Sequence, residues 1–149
     1  MNFRNYLYSK NSSSEINEEF KTDEQGIKQL QAKETELVRK MRPIREKLWE
    51  LEPKKSSLMY RIAGMVTNMM NAHENGEQNS QMEKRYEEAN KEYERLEEEI
   101  KNLYDKISPY EDELKKLRKV IIKMTQRNAK KLGLHPYEYV SKYDLHSRI

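Results

Sequence analysis

The side chains able to do chemistry in this sequence fall into three groups. Three histidines, His73, His135 and His146, stand far apart along the chain. None has a glutamate three residues before it, so the Glu-x-x-His arrangement that holds a di-iron centre inside a helical bundle is missing. Nor is there a His-Glu-x-x-His pair, a glycine-rich phosphate loop or a Gly-x-Ser-x-Gly elbow. With no cysteine, the chain has neither a thiolate nucleophile nor thiolate metal ligands. The second group is acidic. Glu74 and Glu77 flank Gly76 closely enough to share a divalent ion, but two carboxylates on a turn fall well short of the oxygen shell such ions demand. Solvated turn residues is the better reading of both. The many other carboxylates up to Glu113 follow a spacing that leaves them on an exposed helix face, without the shielding that general acid–base catalysis needs. No catalytic residue, metal or cofactor is assigned, and a non-enzyme is expected.

The third group is cationic. Lys116, Lys119, Lys123, Arg127 and Lys130 recur every three or four residues and share one face of a helix. Cations aligned in this way can neutralise successive phosphates of a polyanion, with affinity that falls steeply in salt. The same face can instead pair with acids of a partner helix or a second copy. Charge is segregated around it. Residues 74–113 carry net −8 and residues 114–137 carry net +8, while the whole chain is only +3. If the chain folds back on itself, Arg39 comes near Lys115, and Arg39, Lys40, Arg42, Arg45 and Lys47 join the basic end. The neighbouring tyrosines fall on the apolar seam or in the tail, so any contact with nucleic acid would be blind to sequence.

These groups need elements to hold them, and composition narrows the choice. Of 149 residues, 37% are charged, 35% are hydrophobic and only four are glycine. Continuous apolar strands and glycine-rich turns, which an α/β enzyme fold requires, are not visible. No apolar run is long enough to span a membrane, and the opening Met1-Asn2-Phe3-Arg4-Asn5 does not look like a signal peptide. Together with the absence of cysteine, this leads us to expect a cytoplasmic protein with no membrane partner.

Periodicity then supplies the fold class. Alternating steps of three and four residues from Ile27 to Ala72 meet apolar side chains everywhere except Glu34 and Lys55. A second stripe runs from Met82 to Met124 with no charged residue at all. A sustained 3-4 repeat keeps one seam turned toward a partner helix. The stripes span 46 and 43 residues, and between them lies a polar, turn-prone stretch around Gly76. We therefore expect an all-α chain built on a long antiparallel coiled-coil helical hairpin, roughly 65–70 Å in length at 1.5 Å per residue. The competing arrangement pairs each helix with a second chain. The expected organisation is an N-terminal arm over 1–22, the hairpin over 23–132 with its loop at 73–81, and a C-terminal tail over 133–149 with a short helix from Pro136.

Helix 1 should start near Asp23, where Thr22 and Gln25 form a capping box. Pro43 and Pro109 fall at nearly the same level of such a hairpin, and each should kink or break its helix. Ser108-Pro109-Tyr110-Glu111 reads as a helix restart. An elbow near 43/109 follows, with a lesser bend at Pro53; tolerated kinks without a mechanical role are the alternative. Both termini carry aromatics and are expected to fold against the hairpin's open end.

One apolar line is surplus to a two-helix seam: Met59, Ala63, Val66 and Met70, continued sparsely by Trp49 and Val38. Exposed, it would be a binding surface whose methionines adapt to their partner. Otherwise it is covered by a homodimer or by a terminal arm.

Two short stretches resemble known families. Ala72-His73-Glu74-Asn75-Gly76-Glu77, followed by a charged helix, resembles the coiled-coil tip of bacterial transcript-cleavage factors. That resemblance implies an acidic-tipped hairpin inserted into the secondary channel of RNA polymerase. Ala129-Lys130-Lys131-Leu132-Gly133-Leu134-His135-Pro136 is similar to a helix–turn–helix corner of some phage small terminase subunits, and equally reads as a plain helix end. The residues taken together lead us to expect a self-associating, non-enzymatic interaction module, an adaptor, scaffold or inhibitor. Met59, Val66, Met70 and Trp49 would anchor it to a larger protein or nucleoprotein assembly. A sequence-independent nucleic-acid binder using the lysine stripe is the alternative.

Overall fold

The structure, a computed structural model, describes residues 24–77 and 79–146. The arm expected over 1–22 and the proposed cap at Thr22 lie outside them. The described residues form two long helices that pack against each other, α1 (Glu24–Glu74) and α2 (Ser80–Lys131), and a short α3 (Pro136–Lys142). There is no strand among them.

The seam explains why the long helices form. Ile27, Leu30, Leu37, Met41, Leu48, Leu51 and Leu58 of α1 are buried, as are Ala89, Leu96, Ile100, Ile107, Leu114 and Leu117 of α2. Each of these sits on one of the two 3-4 stripes. Isolated helices gain little from propensity alone, so burying this face supplies most of their stability.

The helix ends are closed by backbone geometry. At the end of α1, Gly76 takes φ +73°. Glu77 N–H donates to the Ala72 carbonyl at 2.8 Å and Gly76 N–H to that of His73 at 3.0 Å, a Schellman ending. Asn79 then caps α2, its Oδ1 accepting the Gln81 and Met82 amides at 3.1 and 3.4 Å. The turn is thus narrower than the polar stretch 73–81, because His73 and Glu74 continue α1 while Ser80 and Gln81 already belong to α2. A second Schellman ending closes α2, with Gly133 at φ +67° and Leu134 N–H on the Ala129 carbonyl at 2.9 Å. A third closes α3 with Asp144 at φ +52° and Leu145 N–H on the Val140 carbonyl at 2.9 Å.

The prolines do not break the helices. α1 runs through Pro43 and Pro53, and α2 runs through Pro109. Ser108-Pro109-Tyr110-Glu111 is therefore helix interior and not a start. All three prolines are exposed, so the carbonyls they leave without a donor can take water.

Packing divides the chain into two compact units, whose boundaries fall before Pro43 and before Ser108. The unit Pro43–Ile107 has a core of Leu48, Leu51, Leu58, Ala89, Leu96 and Ile100. Lys55, one of the two charged seam positions, reaches Glu97 at 3.6 Å and lies over the Tyr93 ring, 5.5 Å from its centroid. Tyr104 donates its hydroxyl to Glu52. Partners thus run in opposite directions along the two helices of this unit.

The other unit joins the start of α1 to the end of α2 and the C-terminal segment. Ile27, Ala129, Tyr139 and Leu145 form its cluster, with Val140 and Tyr143 packed against it. Asn128 Nδ2 donates to the Tyr139 hydroxyl at 3.0 Å, and Gln31 Nε2 donates to the Leu145 carbonyl at 2.7 Å. These two bonds tie the C-terminal segment to both long helices.

Candidate protein-interaction surface

The helix that buries Leu58 carries the surplus apolar line immediately beside it. Met59 is 48% exposed, Val66 37% and Met70 60%. Trp49, farther along the same helix, is 70% exposed. Ala63 is also exposed, whereas the neighbouring seam positions Ile62, Met65 and Met69 are half-buried. The chain's own packing therefore leaves this line uncovered among the described residues.

Tyrosines of α2 extend the surface across the helix pair. Met59 lines a groove with Tyr93 and Tyr104. Toward the turn, Val66 and Met70 line another of about 630 Å³ with Met82 and Tyr86. Tyr60 and Tyr104 are exposed as well. The sequence reading missed the tyrosine contribution. Tyr86 and Tyr93 lie on the α2 stripe, whose spacing predicts seam positions, and their half-burial is visible only once the helices are packed. A surface of flexible methionines beside rigid aromatics can mould to a partner while burying large area per side chain.

Glu74 and Glu77 border the groove at the turn, both exposed. Among the described residues no group of three or more potential metal ligands gathers, at the turn or elsewhere. No helix among them is long and apolar enough to cross a membrane.

The cationic residues lie in the other unit. Lys116, Lys119, Lys123, Arg127 and Lys130 are all exposed, as are Arg39 and Arg42. Arg39 differs from the rest: it forks onto Glu36, with Nε–Oε2 at 3.1 Å and Nη2–Oε1 at 2.6 Å. That hydrogen bond holds the Glu36 carboxyl below its ordinary pKa and raises the Arg39 guanidinium. The i,i+3 spacing of Glu36 and Arg39 could have revealed this pair in the sequence. In the same unit, Ile121, Ile122, Val140 and Leu145 line a groove of about 500 Å³ with the Glu34–Arg118 pair. That groove needs the returning C-terminal segment, so no local pattern announces it. Comparison with family models, with curated proteins and with solved structures finds no match for this chain.

Proposed function

We propose that this chain is a non-catalytic interaction module. It is an antiparallel coiled-coil hairpin whose Met59–Val66–Met70 line docks first onto a second copy of itself and, in that form, onto a larger protein assembly. The observation that carries the reading is the exposure of that line on a helix whose adjacent line is buried at Leu58 and half-buried at Ile62, Met65 and Met69. An apolar strip one position from a seam has the periodicity of a helix-packing face, and joining two hairpins along it makes a four-helix bundle. The acidic and basic stretches of the chain would orient docking more than tighten it. An adaptor, scaffold or inhibitor works in this way, by occupying or bridging surfaces without changing a bond. Sedimentation of Met59→Glu combined with Met70→Glu tests the reading. Loss of self-association with helicity retained supports it; an unchanged oligomeric state refutes it.

A further inference from the structure

The basic stripe of α2 is a site of a different kind. Leu114, Leu117, Thr125 and Asn128 are buried, and at 100° per residue they define the inward side of this helix. Lys116, Lys119, Lys123, Arg127 and Lys130 project from the opposite side, and all are exposed. Residues 114–137 contain no acid. Of the basic residues in that stretch, Arg118 alone has an ion pair among the described residues, with Glu34. On α1 of the same unit, Glu36 is taken by Arg39. Among the described residues the stripe is therefore not the charged half of a helix–helix pairing. Five cations on one face repel each other, and the packing of the described residues gives no reason to align them.

We infer that this stripe is a docking surface for the phosphate backbone of double-stranded nucleic acid, read without regard to base sequence. From Lys116 to Lys130 the row is roughly 21 Å long at 1.5 Å per residue, the length of about six base-pair steps at 3.4 Å. From Lys116 to Lys130 the exposed residues of α2 are lysines, arginines, Gln126 and Ile122, with no aromatic side chain on which unpaired bases could stack. A duplex, which presents its phosphates outward and keeps its bases stacked, suits such a row better than a single strand. An acidic protein is the competing occupant. This surface is separate from the methionine line and stands or falls independently of it.

The test uses the full chain and a short random-sequence DNA duplex, with affinity measured from about 50 to 200 mM salt. A log–log slope near −4 is expected if most of the five cations each displace one counterion. Duplexes of different sequence should bind alike. Lys119→Glu with Lys123→Glu should weaken binding about tenfold or more and flatten the slope by about two, whereas Lys119→Arg with Lys123→Arg should leave both intact. If the charge-reversed protein loses helicity, Lys116→Gln with Lys130→Gln serves in its place with the same expected flattening. No duplex binding at low salt, a slope indifferent to these lysines, or equal binding to poly-glutamate or to single strands would each overturn the inference.

Discussion

Arg118 of α2 donates its Nε–H to Glu34 Oε2 of α1 at 3.1 Å, and Glu34 is only 6% exposed while the Arg118 side chain is half in solvent. Glu34 interrupts an otherwise apolar stripe, and Lys55, the other interruption, also finds its partners across the helix pair. A polar residue in a seam gives up stability and gains a register, because a shifted pairing would leave it buried without a partner. Arg118→Ala should therefore destabilise the protein by about 1–2 kcal/mol, less than for a fully buried pair because Arg118 is half exposed. Glu34→Leu with Arg118→Ala should recover most of that loss. A double-mutant cycle by chemical denaturation measures the coupling.

Two glycines should respond oppositely to the same substitution. Gly64 lies inside α1, and a Cβ there meets nothing within 4 Å. Gly64→Ala should stabilise the protein by about 0.5–1 kcal/mol through backbone entropy. Gly133 is equally uncrowded but holds φ +67° at the end of α2. Gly133→Ala should cost about 1–2 kcal/mol, the left-handed penalty for a residue with a Cβ. Thermal unfolding of the two variants reads the contrast.

Pro109 sits inside α2 on its exposed side. Replacing it with alanine restores a donor to the Asp105 carbonyl and removes a steric conflict. Pro109→Ala should raise stability by up to about 3 kcal/mol, with helical circular dichroism at least as strong as the parent's. A fall in stability would contradict this and mean that the proline is required in α2.

Acid should loosen the helices slightly. Side-chain hydrogen bonds from Arg39, Lys54 and Arg95 hold Glu36, Glu50 and Glu92 below the ordinary carboxylate pKa of 4.5. A carboxyl whose pKa is lower folded than unfolded adds stability above its unfolded value. That contribution fades as pH falls through the folded value. These pairs are exposed, so the effect is small and screened by salt. The thermal midpoint should fall between about pH 5 and pH 3, and the part due to these pairs should shrink in high salt.

The seam was legible because a 3-4 repeat in side-chain type is itself the cause of burial: every buried residue from Ile27 to Leu58 lies on it. The end of α2 was legible for a similar reason, since Gly133 and Leu134 supply a local stop. What could not be read came from longer range. The local rule for proline suggested interruptions at Pro43 and Pro109, yet the helices continue where the freed carbonyls face outward and the seam keeps packing on the other side. Glu34 and Lys55 stood out as exceptions, but naming Arg118, Glu97 and Tyr93 as their partners needs the register of the two helices. Gln31 meets the Leu145 carbonyl across a sequence separation of 114, and no spacing rule reaches that far. The basic stripe was visible as a pattern, while its lack of acidic partners among the described residues depends on Glu34 and Glu36 being already engaged.

If a second copy covers the Met59–Val66–Met70 line, the mass of the protein in solution must show it. Light scattering coupled to size-exclusion chromatography, at low and high salt, should give at least twice the 18.0 kDa chain mass. That mass should persist in high salt, as apolar burial does and screened charge pairing does not. A mass of one chain at every concentration and salt would contradict it and leave the methionine line without the partner assigned to it.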